Sequence, residues 1–235
     1  MKILRNQNLY IFPVVICLAL LAIALVRGVR SQGSQNSAEA QERALIEAVR
    51  RGGLREAAKI KGRYVASINT SHWLKFDLES LTKNSAAVII GRPLSSVSRL
   101  TPDGEQITTE YQININEVLK GNLTPNEKVN LSLPGGTLVF EDGTSAEIKT
   151  PDEERIENGK TYLLFLSPKK GTADGFVATG GAQGLFELPP DKSGVKPKGH
   201  RVDPVQKYKN RPADKFLEEI REAVRKHPEA SSCCN

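Results

Sequence analysis

Hydrophobic and polar residues alternate along the middle of the chain with the period of two that is typical of β-strands. In segment 107–119, Ile107, Tyr111, Ile113 and Ile115 share one face, with polar residues on the other. Turn sequences rich in Gly, Pro, Asn and Asp separate this segment from similar short runs. The predicted strands are 86–91, 107–119, 128–133, 137–140, 144–149, 161–166, 175–179 and 184–188.

Helical periodicity appears only on the two flanks of this strand-rich region. Segment 38–64 carries a thin apolar stripe, which predicts a docking helix or a stalk, and Gly52-Gly53 should divide it. A short helix over 75–84 should cap the coming domain. Segment 213–229 is amphipathic and ends at Pro228, so it predicts a C-terminal helix that packs back on the strands. Its apolar positions are Phe216, Leu217, Ile220 and Val224.

Eight short strands with no helices between them predict a mainly β fold, an antiparallel β-barrel or sandwich. Flanking N- and C-terminal α-helices and an N-terminal hydrophobic helix complete this prediction. The organisation we expect is a signal anchor or signal peptide, a basic linker and helical stalk, the β-domain, a Pro/Lys-rich connector that wraps the domain or stays loose, a C-terminal amphipathic helix and a tail. These parts cover 1–31, 32–76, 77–190, 191–211, 212–228 and 229–235.

The N-terminal hydrophobic helix is predicted from an uncharged run over residues 9–26. As a helix this run would span about 27 Å, close to the thickness of a bilayer core. Lys2 and Arg5 precede it, and a cleavage position follows Ser31. The run therefore predicts either a membrane anchor or a cleaved export signal, with the rest of the chain outside the cytoplasm.

Charge is distributed unevenly along the 235 residues, whose formal net charge is +6. The strand-rich part, 64–191, has a net charge of −6, whereas the flanks 27–63 and 192–235 each have +5. An acidic folded part disfavours a nucleic-acid partner, because such domains concentrate basic charge on the fold. The basic flanks instead suggest attraction to anionic lipid headgroups beside the anchor.

Strand and turn motifs follow one another along the chain in the order AAVIIGR, YQININEVLKG, SLPGG, NGKTYLLFLSP and GGAQGLFEL. Their order resembles a group of exported, largely uncharacterised bacterial β-domain proteins. More distantly, it is similar to the OB-type barrel of netrin-like and tissue-inhibitor-of-metalloproteinase domains. The resemblance covers about residues 77–190 and implies an OB-like barrel, but no particular activity. No Cys lies between residues 18 and 232, so the cysteine-based inhibition of metalloproteinases is excluded.

Two glycine-containing motifs have features of ligand-binding turns. Gly159-Lys160-Thr161 has the tail of a phosphate-binding loop, but it precedes a strand instead of a helix and is interpreted as a turn. The GGAQG segment fits a left-handed structural turn or a close approach to a neighbouring strand. It is also the candidate ligand-facing turn of this sequence. The residues of that candidate turn are Gly180, Gly181, Gln183 and Gly184.

No nucleophile–base set or metal motif stands out, so catalytic, cofactor-binding and metal-binding residues are predicted to be absent. Acidic residues 152–154 and 157 lack the spacing of a calcium loop, and the three His are far apart. Cys233-Cys234 near the C-terminus suggests a frayed tail, intermolecular pairing or lipidation. Carboxylate pairs that a hydrolase would need are Glu187 with Asp191, or Glu117 with Glu141.

These observations favour a membrane-associated or secreted, non-catalytic binding or scaffolding β-domain with a protein or glycan partner. The bilayer itself would be contacted through residues 9–26. An extracytoplasmic hydrolase that uses carboxylates is the alternative. An OB-type nucleic-acid binder is the third, and the charge of the folded part and its few aromatic residues disfavour it.

Overall fold

The computed structural model describes residues 39–68, 74–150, 155–172, 175–191, 194–199 and 203–228. The predicted anchor at 9–26, the cleavage position after Ser31 and the Cys233-Cys234 pair lie outside these ranges. Within the described ranges, no helix is both long enough and apolar enough to cross a membrane.

The fold is mainly β, with helices on both flanks, as the sequence pattern predicts. Helix α1 covers residues 39–61, α2 covers Leu78–Asn84 and α3 covers Ala213–Lys226. Asp77 caps α2, because its carboxylate accepts the Ser80 N–H at 2.8 Å. Short 3₁₀ turns cover Gly181–Gly184, between two strands, and Pro204–Tyr208, before α3.

In the part of the chain that the structure describes, ten strands form two sheets. The large sheet has the order β10-β9-β7-β2-β3-β4-β8, and the small sheet has the order β1-β6-β5. All eight predicted strands are present, and seven of them lie within a few residues of their expected bounds; β2 extends further. The strands are β1 Arg63–Ser67, β2 Ala87–Leu100, β3 Ile107–Lys120, β4 Lys128–Pro134, β5 Gly136–Val139, β6 Ser145–Lys149, β7 Tyr162–Pro168, β8 Gly175–Ala178, β9 Leu185–Glu187 and β10 Lys196–Pro197.

Strand β8 has pairing partners on both of its edges. It runs parallel to β4, with Leu131 opposite Phe176, and antiparallel to β7, with Ser167 opposite Val177. Since β7 also pairs with β2, and β3 lies between β2 and β4, the pairings pass through five strands and return to the first. Four of these five pairings are antiparallel, and the β4–β8 pairing is parallel.

The first part of strand β2, residues 87–91, is buried on both faces, which explains the unbroken apolar run that predicted it. Ala87 and Ile89 belong to a core cluster with apolar residues of β3, β4 and β7. Val88 and Ile90 face a second cluster, to which α2, β9 and α3 contribute. Consecutive residues of a strand point to opposite faces, so this short segment joins two cores.

The small sheet and the second half of α1 enclose a third apolar cluster. It contains Leu54 and Ala58 of α1 together with Ile107, Phe140 and Ile148. The predicted division of α1 at the glycine pair is confirmed. The φ angle of Gly53 is +71°, and the Leu54 N–H donates to the Gly104 carbonyl oxygen at 2.8 Å instead of continuing the helix. The docking-helix interpretation therefore describes this second half of α1.

The connector and α3 pack on the domain. Val195, Val205 and Tyr208 of the connector are buried, and they share a cluster with Phe216 and Ile220 of α3. The sequence left open whether the connector wraps the domain or stays loose. Its described part wraps the domain.

Three details differ from the sequence-based prediction. Residues 63–64, expected to be the end of a helix, begin strand β1. Strand β2 continues to Leu100, beyond the predicted end at residue 91, although its second half is largely exposed. A strand with two polar faces gives no alternating signal, and here the pairing with β3 defines it. The purely antiparallel expectation is wrong in two places, because β1–β6 and β4–β8 are parallel.

Candidate functional site

A groove of about 580 Å³ lies between α2 and strand β8, beside the turn that the sequence analysis singled out. Its lining combines hydroxyl and amide side chains with a few apolar ones. We call it the α2–β8 groove. The lining residues are Leu74, Lys75, Phe76, Ser80, Asn84, Ser167, Val177, Ala178, Thr179 and Gly180.

The GGAQG turn has the backbone conformation that its glycines predicted. Gly180 and Gly181 have φ angles of +69° and +61°, in the left-handed region. A Cβ on Gly184 would lie 2.3 Å from the Thr179 carbonyl oxygen, so only glycine allows this approach. The structural interpretation of these glycines is confirmed, and of the four candidate residues Gly180 lines the groove.

Gln183 is completely buried, and its amide group binds the chain segment that forms one wall of the groove. Its Oε1 accepts the Phe76 N–H at 2.9 Å, and its Nε2 donates to the Leu74 carbonyl oxygen at 3.1 Å. The amide thus accepts from one backbone N–H and donates to one backbone carbonyl of residues 74–76, as a neighbouring strand would. Gln183 therefore positions residues 74–76, which lie beside the groove, and its direct contact with a ligand stays a prediction.

Three hydroxyl groups connect α2 to strands β7 and β8 at the inner side of the groove. Thr179 Oγ1 lies 3.0 Å from Ser85 Oγ and 2.7 Å from Ser167 Oγ. Ser85 and Thr179 are buried, and Ser167 is half-buried. Hydroxyl groups donate and accept, so this chain offers a ligand both kinds of hydrogen bond at its exposed end.

Lys75 is the charged side chain in the lining, and its charge is compensated. Its Nζ lies 2.7 Å from Asp203 Oδ1, whose side chain is completely buried. The polar contacts that remain available in the groove are therefore those of uncharged groups. This arrangement suits an uncharged ligand that forms hydrogen bonds and offers some apolar surface.

Helix α2, the other wall, is held by a buried lysine. Lys120 is 3% exposed, and its Nζ donates to the Thr82 carbonyl oxygen near the end of α2 at 2.6 Å. A cation is favourable at a helix C-terminus. Burial lowers the pKa of Lys120, because removal from water disfavours the ammonium form.

The first carboxylate pair proposed for a hydrolase contains a residue that is already engaged. Glu187 is buried, and its oxygens lie 2.8 Å from Lys198 Nζ, 3.5 Å from Lys196 Nζ and 3.6 Å from Lys160 Nζ. Burial by itself raises the pKa of Glu187, but the hydrogen bond from Lys198 and the three positive charges hold this pKa below its ordinary value. Asp191 is exposed.

The second carboxylate pair is divided between the two sheets. Glu117 lies in β3 and accepts from Arg221 of α3 at 3.1 Å, whereas Glu141 lies in the turn between β5 and β6. In neither pair do the two carboxylates face each other across the α2–β8 groove.

The other motifs have local partners where the structure describes them. Gly159, with φ +82°, and Lys160 form a turn before β7, and Lys160 binds Glu157 at 2.6 Å. His227 lies 3.3 Å from Glu79 and joins the ends of α2 and α3. In the described residues, no group of three or more His, Cys, Asp or Glu could hold a metal ion. Residues 152–154, His72 and His200 lie outside the described ranges.

Sequence reasoning identified the turn but missed the rest of the groove. Ser85, Ser167 and Thr179 stand at the ends of predicted elements, where polar residues are ordinary turn signals. Lys75 and Asp203 are 128 positions apart, so no local pattern connects them.

No protein-family model matches this chain, and a search of curated proteins found no match to it.

Proposed function

We propose that this chain is a non-catalytic binding module, carried outside the cytoplasm by its N-terminal apolar run, with the α2–β8 groove as its ligand site. The observation that carries the proposal is the groove itself. It lies where a glycine turn, a buried amide and a hydroxyl chain meet, and its one charged side chain is already paired. The partner we propose is an uncharged surface with many hydrogen-bonding groups, either a protein segment or a glycan.

The finer architecture we propose is an OB-like barrel of β2, β3, β4, β7 and β8. It is supported by the five pairings that return to the first strand, and by the parallel partnership of β4 with β8. The resemblance to exported bacterial β-domain proteins and to netrin-like domains implies the same kind of barrel. The apolar cluster around Ile89, Ile113 and Leu164 would fill the interior of such a barrel.

Binding is favoured over hydrolysis by the surroundings of the candidate carboxylates. A general acid needs a raised pKa, whereas the lysines around Glu187 lower its pKa. Glu117 is paired with Arg221. A nucleic-acid partner stays disfavoured by the net charge of −6 over residues 64–191.

The location is tested by fractionation of cells that produce the chain with a C-terminal tag. We expect the tag in the membrane fraction, resistant to alkaline extraction, and digested by protease added to the outer side of that membrane. A secreted or periplasmic tag would indicate a run cleaved near Ser31. A soluble tag inside the cytosol would contradict the proposal.

The groove is tested with a photo-crosslinking amino acid at Asn84, an exposed position on its rim. The matched control carries the same amino acid at Asp142, in the exposed turn of the small sheet. We expect a discrete adduct from position 84 alone, and its loss when Val177→Trp fills the groove while the far-UV circular dichroism spectrum is retained. Val177 is the suitable position because Phe176 and Ala178, on the other face of β8, pack on the apolar core. Equal labelling from both positions, or an adduct that Val177→Trp leaves unchanged, would show that the groove is not the site.

A glycan partner is tested in parallel by an array of immobilised glycans with the purified full chain. Binding that Val177→Trp removes would assign a glycan, and a crosslinked polypeptide without array binding would assign a protein. Turnover of a glycan substrate that Glu187→Gln abolishes would favour the hydrolase instead.

A further inference from the structure

The second half of strand β2 has a partner strand on one edge only. Strand β7 pairs with β2 as far as Gly91, and the Gly159 N–H then donates to the Pro93 carbonyl oxygen at 2.8 Å. Beyond this point β3 pairs with residues 95–100 on one edge, and in the described part of the chain no strand pairs with the other edge. A free edge presents backbone N–H and carbonyl groups that another strand can pair with. We call residues 94–100 the β2 edge segment.

The β2 edge segment also exposes apolar side chains. Leu94 and Val97 are 45% and 49% exposed, so two large apolar side chains lie three positions apart on this strand. Arg99 is the one charged residue of the segment, and its guanidinium lies 3.7 Å from the carboxylate of Glu110 in β3. The segment therefore combines a free backbone edge and exposed apolar surface with a charge that is already balanced.

The sequence of the β2 edge segment is nearly the same in both directions about Val97. It reads Leu-Ser-Ser-Val-Ser-Arg-Leu. In an antiparallel pairing of two copies about a two-fold axis at Val97, opposed residues lie on the same face of the sheet, and each residue type but one meets itself. The exception places arginine opposite serine, so no like charges face each other. The opposed pairs are Val97 with Val97, Ser96 with Ser98, Ser95 with Arg99 and Leu94 with Leu100.

We propose that the β2 edge segment pairs with itself in a second copy of this chain. The product is a two-fold dimer in which the large sheet continues from one copy into the other through two adjacent β2 strands. This inference depends neither on the α2–β8 groove nor on the membrane tether. A segment of seven residues is small beside the roughly 20–30 residues that each partner contributes to a standard interface, so we expect a weak dimer that forms at micromolar concentration.

The experiment follows the mass of the purified full chain, in detergent and under reducing conditions, by analytical ultracentrifugation over a concentration series. Val97→Lys and Val97→Glu each place two like charges opposite each other at the two-fold axis, so either variant alone should associate about tenfold more weakly. An equimolar mixture of the two variants should regain the dimer, because Lys then faces Glu. The matched control is Val65→Lys, at a valine that is 44% exposed on the outer strand of the small sheet, and it should leave the dimer unchanged. Circular dichroism checks that each variant folds.

Crosslinking through a single cysteine tests the register independently. The native cysteines are replaced by Cys17→Ala, Cys233→Ser and Cys234→Ser. Val97→Cys should then give a covalent dimer with a short bifunctional maleimide, because position 97 faces itself across the axis. Leu94→Cys, also exposed, is the matched control on the same strand. The two copies of position 94 would lie six residues apart along the paired strands, about 20 Å, so the same reagent should not join them.

The outcomes separate this dimer from other modes of association. A chain that stays monomeric at every concentration would overturn the inference and leave the edge to a different partner. A dimer that neither Val97→Lys nor Val97→Glu weakens would overturn it as well, since association would then occur elsewhere, for example through the apolar run. A mixture of the two variants that stays monomeric, or crosslinking from position 94 as efficient as from position 97, would contradict the pairing about Val97.

Discussion

At the scale of single residues, several buried polar side chains have partners from distant parts of the chain, among them Gln183 and Glu187. Gln183 joins the GGAQG turn to residues 74–76, and Glu187 joins β9 to three lysines. A buried polar group is stable only when its hydrogen bonds are formed, so each of these residues makes the surrounding segments depend on one another. Substitutions at both residues are therefore expected to lower the stability of the protein.

Replacing Glu187 by Gln should destabilise the protein at neutral pH, by about 3–5 kcal/mol, because Lys198 would keep a buried charge without its carboxylate. Chemical denaturation with and without the change measures this. Glu157→Gln is the matched control, since Glu157 is exposed and binds Lys160 in water. An effect of the same size in both variants would contradict the importance of burial.

The same residue predicts a dependence of stability on acid. The pKa of Glu187 is lower in the folded protein than its ordinary value of 4.5, so the folded state favours the ionised form. This contribution is fully present above the unfolded pKa and is lost as the pH falls through the folded pKa. Denaturation midpoints measured from pH 6 downward should therefore fall less steeply in Glu187→Gln than in the unchanged chain. Parallel slopes would show that Glu187 is not the responsible group.

Replacing Gln183 by Leu should cost about 2 kcal/mol, because the two hydrogen bonds from its completely buried amide to residues 74 and 76 are lost. Hydrogen exchange should become faster at the Phe76 amide in particular. Gln112→Leu makes the same chemical change at an exposed position of β3 and should leave that amide unaffected. Unchanged exchange at Phe76 in the Gln183 variant would contradict the positioning role.

At the scale of elements, the break in α1 is a contact between two glycines. A Cβ on Gly53 would lie 2.4 Å from the Gly104 carbonyl oxygen in the turn between β2 and β3. The helix can therefore approach this turn only where a side chain is absent. The Gly52-Gly53 pair predicted the break, and the turn at Gly104 gives it a partner.

Gly53→Ala and Gly62→Ala form a matched pair, because both glycines have φ near +70° but Gly62 has open space around its Cβ position. Each change should cost about 1 kcal/mol for the left-handed backbone. Gly53→Ala should cost at least about 1 kcal/mol more for the clash with Gly104. Thermal unfolding of the two variants measures the difference. Equal costs would mean that α1 moves away from the turn without loss.

At the scale of the whole molecule, three apolar clusters share strands and form a continuous structure. Strand β2 contributes to two of them, and α3 closes one of these from outside. The ring of Phe216 lies 5.0 Å from the Phe186 ring and 5.2 Å from the Tyr208 ring, measured between centroids. The C-terminal helix and the connector are therefore expected to unfold together with the sheet.

Phe216→Ala should destabilise the whole chain by about 3–5 kcal/mol, because it leaves a cavity at the centre of this aromatic group. Urea unfolding followed by far-UV circular dichroism and by tyrosine fluorescence should give one shared transition, shifted to lower urea. Leu217→Ala, at a less buried neighbouring position, should shift it less. A variant in which only the helix signal changes would show that α3 is an independent element.

Local spacing along the chain determined most of the elements. The alternation of Ile107, Tyr111 and Ile113 placed β3, the Asp142-Gly143 pair placed the β5–β6 turn, and the apolar positions of segment 213–229 placed α3. In each case the signal lies within a few residues, because side-chain direction is fixed by the backbone period.

The tertiary structure alone decided how these elements meet. Three features depend on partners from other parts of the chain. They are the second pairing of β8, the strand formed by residues 63–67, and the lysines around Glu187. Gln183 and Phe76, for example, are 107 positions apart. A residue type reports its own preference for burial or hydrogen bonding, but only the folded chain brings its partner within reach.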